Sequence, residues 1–199
     1  MGDTKERILL TSLQLFAQRG YAAVSVSDIA GALGITKGAL YRHYESKQAI
    51  FDAILARMEQ RDADQARAHD LPEGTTETDG AAYEAAAVSD VVAFSRAMFR
   101  YWTEDPFAAP FRRMLTLEQY GAPQMARLYQ QYLAAGPMGY VADLFRARGL
   151  SDPARRAAAF YGPMFLLYAV YDGAEDKAAV TALLDEHLDH MKKELTGGK

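Results

Sequence analysis

The spacing of small and apolar residues between Ser25 and Lys47 constrains the fold more than any other feature of this chain. Ala30, Gly34 and Leu40 follow one another at intervals of four and six residues. This is the spacing of a helix-turn-helix, in which the alanine permits close helix crossing, the glycine permits the turn and the leucine fills the core. The segment is therefore predicted to form two short helices joined by a tight turn.

Capping residues set the limits of both predicted helices. Ser25 is a favourable N-cap, and Asp28 stands three residues later, at the spacing of a capping box. Gly34 follows the apolar face of the first helix, where a helix end in the left-handed conformation favours glycine. Thr36 can cap the second helix, which is therefore predicted to begin directly after residue 36.

The second helix of this motif has a composition suited to a nucleic-acid backbone. Gly38 and Ala39 leave little side chain between the backbone and a ligand, and the free N–H groups at a helix start favour phosphate. Lys37, Arg42 and His43 add charge or hydrogen-bond donors. An ordinary helical hairpin with solvated basic residues has the same local pattern, so the motif favours DNA binding and leaves a structural role open.

A longer segment around the motif, residues 7–55, resembles the N-terminal domain of the TetR/AcrR family of bacterial transcriptional regulators. The resemblance is carried by LFAQRGY (Leu15–Tyr21), SVSDIA (Ser25–Ala30), GITKGALYRHY (Gly34–Tyr44) and SKQAIF (Ser46–Phe51). It implies an all-α homodimer. It also implies a three-helix helix-turn-helix domain at residues 1–46 and a helical ligand-binding and dimerisation domain at residues 47–199.

The same resemblance assigns individual positions to DNA contacts. The positions that it places at the operator or at phosphates on its edges are Ser25, Thr36, Lys37, Gly38, Tyr41, His43 and Lys47. Ser25 and Lys47 are the two edge positions. Val24 departs from the family pattern, which often has threonine there, so no phosphate contact is expected from its side chain.

The charges are distributed unevenly along the chain. The formal net charge is −4, but residues 1–50 carry six Lys and Arg against four Asp and Glu, whereas residues 51–199 carry sixteen against twenty-two. A modestly basic head on an acidic body fits DNA recognition through a small surface.

Composition and motifs exclude several other classes of protein. The chain has no cysteine, which rules out disulfides and thiolate metal sites. It has no apolar run of about eighteen residues, so no membrane span is expected. The N-terminus lacks the apolar stretch of a secretory signal, and a cytoplasmic location is expected. No enzymatic phosphate loop or nucleophile elbow is found, so an enzyme is not expected.

One histidine pair has the spacing of metal ligands. His187 and His190 are three residues apart on one helix face, which is within reach of a shared metal ion. His187 also falls on the apolar stripe of Leu184 and Leu188, which favours a place at a packing interface. Neither a metal nor a cofactor is therefore expected.

Apolar periodicity predicts further helices at residues 4–19, 47–68, 82–104, 107–120, 123–149, 152–172 and 175–195. The polar stretch 71–80 is predicted to be a solvated loop. Interruptions are expected at Gly136–Pro137 and at Gly162–Pro163, because proline cannot continue the helical hydrogen bonds. The last two helices have apolar faces that can pair with a second copy in a four-helix bundle or pack within one monomer, and the family resemblance favours the dimer.

The body between residues 94 and 171 is rich in aromatic residues and methionine, which predicts a largely apolar pocket for a flat or hydrophobic small molecule. The residues predicted to line it are Met98, Trp102, Met114, Tyr120, Tyr132 and Phe165.

The favoured hypothesis is a repressor that such a ligand releases from double-stranded operator DNA, although the sequence does not choose between repressor and activator. The alternative is an all-helical small-molecule-binding protein or enzyme whose N-terminal hairpin is structural. Steeply salt-dependent binding to operator-sized DNA would separate the two.

Overall fold

The computed structural model describes residues 2–68, 72 and 76–197, and all elements in these residues are α-helices. The helices are α1 (Gly2–Arg19), α2 (Val26–Leu33), α3 (Lys37–Tyr41), α4 (Lys47–Ala68), α5 (Thr76–Ala85), α6 (Val88–Glu104), α7 (Ala108–Glu118), α8 (Pro123–Leu133), α9 (Ala135–Ala147), α10 (Pro153–Gly173) and α11 (Lys177–Gly197). The predicted all-α class is confirmed. Within the described residues, none of these helices has the length and apolar character that a membrane crossing requires.

The chain divides into two compact units. The first unit comprises residues 1–62 and 106–129, and the second comprises residues 63–105 and 130–199. The first unit thus takes in much of α4, all of α7 and part of α8 in addition to the helix-turn-helix, because α7 packs along α1. The functional boundary after residue 46 stays a prediction.

The core of the first unit is built from apolar residues that recur at intervals of three and four along its helices. Its buried residues include Ile8, Leu13 and Phe16 of α1, Ile50, Phe51, Ile54 and Met58 of α4, and Phe111, Met114 and Leu115 of α7. Each such side chain contributes about 1.5–3 kcal/mol when fully buried. Leu15 of α1 and Leu55 of α4 are only half-buried. Buried Ser12 satisfies its hydroxyl by donating to the carbonyl oxygen of Ile8 at 2.7 Å.

The predicted loop at residues 71–80 is wrong from residue 76 onward. Residues 76–80 form the first half of α5, while residues 71 and 73–75 lie outside the described part of the chain. Within α5, Tyr83 is buried and its ring centroid lies 5.7 Å from that of Tyr140 on α9. This packing stabilises a helix in a segment whose composition favours a loop.

The single helix predicted at residues 82–104 is two helices. Ala87, between α5 and α6, has an extended backbone, and its N–H donates to the carboxylate of Asp90 at 3.3 Å. The guanidinium of Arg148 donates to the carbonyl oxygen of Ala86 at 2.8 Å. These two side chains satisfy backbone groups that a break between helices leaves without a helical partner.

The break predicted at Gly136–Pro137 occurs instead at Ala134, whose backbone leaves the helical region. Pro137 lies in the first turn of α9. Backbone N–H groups in a first turn have no acceptor within the helix, so a proline there costs no helical hydrogen bond. Gly136 is required by close approach, since a Cβ atom at this position would lie 2.0 Å from the carbonyl oxygen of Gln131.

The interruption predicted at Gly162–Pro163 does not occur, because α10 continues through Pro163. The Nε2 atom of His187, on α11, lies 2.9 Å from the carbonyl oxygen of Phe160, one turn before this proline. The hydrogen bond that the proline removes is the one to the carbonyl oxygen of Ala159, so the histidine contact lies beside the acceptor left without a helical donor.

Candidate nucleic-acid interface

The start of α2 is fixed by the predicted capping box. The Oγ atom of Ser25 accepts from the N–H of Asp28 at 3.2 Å, and the N–H of Ser25 donates to the Asp28 carboxylate at 2.7 Å. The Ser25 hydroxyl also donates to this carboxylate. Arg19, at the end of α1, lies 3.2 Å from the second carboxylate oxygen of Asp28. These bonds connect the last turn of α1 to the first turn of α2.

These hydrogen bonds lower the pKa of Asp28 from its ordinary 3.8 to about 2, with the Ser25 hydroxyl as the largest cause, followed by the Ser25 N–H and Arg19. The ionised carboxylate therefore stabilises the fold above pH 3.8, and this stabilisation is lost as the pH falls through about 2.

We expect Ser25→Ala to raise the Asp28 pKa toward 3.8, as measured by NMR titration of the carboxyl carbon. Arg19→Gln is the control and should raise it less. An unchanged Asp28 pKa in Ser25→Ala would contradict this assignment.

The turn of the motif has the geometry that its spacing predicts. Gly34 has a left-handed backbone with φ of 66°, and the N–H of Ile35 donates to the carbonyl oxygen of Ala30 at 3.0 Å. This is a Schellman-type helix end. Leu40 of α3 is fully buried, and Ala30 of α2 is buried as well. The alanine, the glycine and the leucine therefore take the roles expected of them.

The exposed side of α3 carries most of the residues predicted to face DNA. Thr36 caps the helix, since its Oγ1 atom accepts from the N–H of Ala39 at 3.1 Å. Lys37, Gly38 and Tyr41 are exposed, and about half of the Tyr41 side chain is open to solvent. A Cβ atom at Gly38 would meet nothing closer than Thr36 Oγ1 at 3.9 Å, so the fold does not require glycine at this position.

The two remaining positions, His43 and Lys47, are half-buried. The ammonium of Lys47 donates to the carbonyl oxygens of Tyr21 and Val24, at 2.8 Å each, and lies 4.3 Å from the centroid of the Tyr21 ring. Lys47 therefore binds the segment between α1 and α2, a role that the sequence did not indicate. Its contact with phosphate stays a prediction, as do the DNA contacts of the other positions.

The residues predicted to line a ligand pocket are distributed over both units. Met98, Trp102 and Tyr132 are buried in the second unit, where the Trp102 and Tyr132 rings lie 6.3 Å apart. Phe165, also in the second unit, is partly exposed. The two in the first unit are Met114, which is buried, and Tyr120, whose side chain is 92% exposed. Trp102 and Tyr132 therefore lie close together, and the pocket and its six predicted lining residues stay a prediction.

The second unit also has an open groove of about 550 Å³ that the sequence did not indicate. The residues that line it are Arg100, Glu104, Tyr171, Lys177, Ala178, Thr181, Ala182 and Asp185. Charged and apolar side chains both line it, and none of the six predicted ligand-binding residues is among them. The Tyr171 hydroxyl donates to Glu104 at 3.3 Å, and the Lys177 ammonium donates to the carbonyl oxygen of Tyr171 at 2.7 Å.

Comparison with known proteins gives a family match confined to the N-terminal part of the chain. The model of the family described as "Bacterial regulatory proteins, tetR family" matches residues 8–54. The uncharacterized HTH-type transcriptional regulator YerO of Bacillus subtilis is 50% identical over 50 residues, which are 25% of this chain and 17% of YerO. The transcriptional regulator AcrR of Shigella flexneri is 40% identical over 52 residues, 26% of this chain and 24% of AcrR. The chain thus matches about a quarter or less of the length of these relatives.

Solved structures are similar over nearly the whole chain. The fatty acid degradation regulator FadR from Bacillus halodurans has a TM-score of 0.64 at 18% identity, covering 99% of this chain and 97% of FadR. A SmeT–triclosan complex has a TM-score of 0.61 at 18% identity, covering 95% of this chain and 90% of SmeT. At these identities the likeness shows that the fold is shared.

Proposed function

We propose that this chain, which carries the N-terminal domain of the TetR/AcrR family of bacterial regulatory proteins, is a sequence-specific DNA-binding transcriptional regulator. The observation that carries the proposal is the family match over residues 8–54, which spans the helix-turn-helix formed by α2 and α3. Binding to operator DNA would place the protein in the bacterial cytoplasm.

In this proposal α3 enters the major groove, as the second helix of a helix-turn-helix does. Thr36, Lys37, Gly38, Tyr41 and His43 face the operator, and Ser25 approaches phosphate at its edge. The exposure of Lys37, Gly38 and Tyr41 on one short helix supports this assignment. Lys47 contributes mainly by holding the segment before α2, because its ammonium already binds two backbone carbonyls there.

The function is tested by the salt dependence of DNA binding. The first step is to measure binding of the purified chain to the DNA that flanks its own gene, at several salt concentrations. Because each neutralised phosphate adds about 0.9 to the slope of log K against log salt, we expect Lys37→Ala to reduce that slope by about 1. Lys192→Ala removes an exposed lysine on α11 and should leave the slope unchanged. Binding of the unaltered chain no tighter than to random DNA would contradict the proposal for this region.

The finer proposal is that the chain is a repressor released by a small, largely hydrophobic or aromatic ligand. The similar repressor KstR2 of Rhodococcus jostii, 45% identical over 51 residues, and the complex of SmeT with triclosan support it. In the second unit the ligand would lie against the aromatic cluster around Trp102 and Tyr132. In this proposal the ligand shifts the population from a conformation that binds the operator to one that does not. The shift can be no larger than the difference in ligand affinity between these two conformations.

The regulator is further proposed to be a homodimer through its two C-terminal helices. The support is that both helices expose large apolar side chains in the single chain: Leu166 and Val170 on α10, and Leu183 on α11. A second copy is the occupant that a two-fold symmetric operator requires, since each half-site takes one helix-turn-helix.

A further inference from the structure

The segment from residue 20 to residue 24, which joins α1 to α2, is held from two sides by side chains distant in sequence. Lys47 of α4 binds its carbonyl oxygens at Tyr21 and Val24. Glu118, in the last turn of α7, binds an amide of the same segment: the N–H of Ala22 donates to Glu118 Oε1 at 3.3 Å. The Lys47 ammonium therefore binds carbonyl oxygens of the segment, and the Glu118 carboxylate binds one of its N–H groups.

Two glycines make room for the Glu118 carboxylate. At Gly20 a Cβ atom would lie 2.4 Å from Glu118 Oε1, and at Gly121 a Cβ atom would lie 3.2 Å from Glu118 Oε2. Gly20 also has φ of +82°, a backbone conformation that side chains disfavour. The carboxylate therefore lies against the backbone of Gly20 and of Gly121, and a side chain at Gly20 would displace it from residues 20–22.

This segment determines where the helix-turn-helix begins. It leads into the capping box at Ser25, and α2 in turn packs against α3. Because the hydrogen bond from Ala22 ends on a charged group, it is stronger than a bond between neutral groups. This bond therefore connects the last turn of α7 to the segment that leads into α2.

We propose that Glu118 is a positioning residue for DNA recognition, which holds the segment before α2 from α7 and so sets the orientation of the helix-turn-helix. The proposal rests on the proposed DNA-binding function. Glu118 is part of the first unit by its contacts, although it lies far outside the segment that matches the family model. It acts through the backbone at Ala22 and touches no nucleic acid itself.

The test compares two variants that remove the same charge. Glu118→Gln keeps an oxygen acceptor for the Ala22 N–H, whereas Glu118→Ala removes it. Both are measured against a DNA duplex that the unaltered chain selects from a random-sequence pool. We expect Glu118→Ala to bind this duplex about fivefold to tenfold more weakly than Glu118→Gln, the size expected for the loss of one hydrogen bond between neutral groups. The slope of log K against log salt should be equal in both, because no phosphate contact is lost.

Amide hydrogen exchange of the free protein separates this proposal from the function on which it rests. The Ala22 amide should exchange faster in Glu118→Ala than in Glu118→Gln, while amides in the middle of α1 exchange equally in both. Equal exchange at Ala22, or equal affinity of the two variants for the duplex, would overturn the positioning role. Failure of the unaltered chain to select any duplex would instead overturn the proposed function, and the exchange measurement would still decide whether Glu118 holds the segment.

Discussion

Leu183→Glu is expected to convert the proposed dimer into a monomer. Leu183 is 55% exposed on α11, and Leu166, 63% exposed on α10, is part of the same apolar face in our proposal. In the proposed interface the new carboxylate would be buried without a partner charge, and burying an unpaired charge costs several kcal/mol. We expect the dimer dissociation constant to rise by a factor on the order of 1,000, a change of about 4 kcal/mol. Sedimentation equilibrium over a range of protein concentrations measures it directly.

The matched control is Leu117→Glu on α7. Leu117 is 54% exposed, so the two substitutions place the same charge at leucines of nearly equal exposure in different units. We expect Leu117→Glu to leave the dimer intact. DNA affinity should fall only in Leu183→Glu, because a monomer reaches one half-site. A Leu183→Glu protein that stays dimeric would show that the interface lies elsewhere.

The second large effect is expected when a methyl group replaces one hydrogen atom of Gly38. Gly38→Ala places a methyl group at the exposed start of α3, where the nearest atom of the fold is 3.9 Å away. The substitution should stabilise the free protein by roughly 0.5–1 kcal/mol, because alanine favours a helix over glycine. If the backbone at Gly38 approaches the operator closely, the methyl group prevents that approach, and we expect affinity to fall at least about tenfold, or 1.4 kcal/mol.

Gly31→Ala is the control for this prediction. Gly31 is an exposed helical glycine in α2, and a Cβ atom there would meet nothing within 4 Å. Both variants should unfold at equal or higher denaturant concentration than the unaltered chain, and only Gly38→Ala should lose affinity for DNA. Equal affinity of the two variants would show that the DNA does not approach the backbone at Gly38, and the major-groove assignment of α3 would need revision.

The helix-turn-helix could be predicted from sequence because its determinants are local. The capping box of Ser25 and Asp28 closes over three residues, and the left-handed Gly34 ends the same helix. Hydrogen bonds of this kind depend on residue type and spacing alone. The structure confirms the caps, the turn and the buried Leu40.

Two predictions from the sequence were wrong in the helical body: the loop at residues 76–80 and the single helix at residues 82–104. In both cases the structure depends on contacts between residues far apart in sequence. Tyr83 packs against Tyr140 and makes residues 76–80 helical, and Arg148 supports the break after α5 by binding the carbonyl of Ala86. Neither contact is visible in a local window, because the helix propensity of a segment is a weak preference that tertiary packing overrides. Neither proline ends a helix at its own position: Pro137 lies in the first turn of α9, where no helical hydrogen bond is lost, and α10 continues through Pro163.

By itself, the sequence determined that this chain is all-helical, where its helix-turn-helix lies and which side chains of that motif cap its helices. These features follow from hydrogen bonds and apolar periodicity within a few residues. Only the tertiary structure showed that Lys47 binds carbonyls before α2 and that Glu118, on α7, binds the amide of Ala22 in the same segment. Glu118 and Ala22 are 96 residues apart, and only the packing of α7 along α1 brings them together.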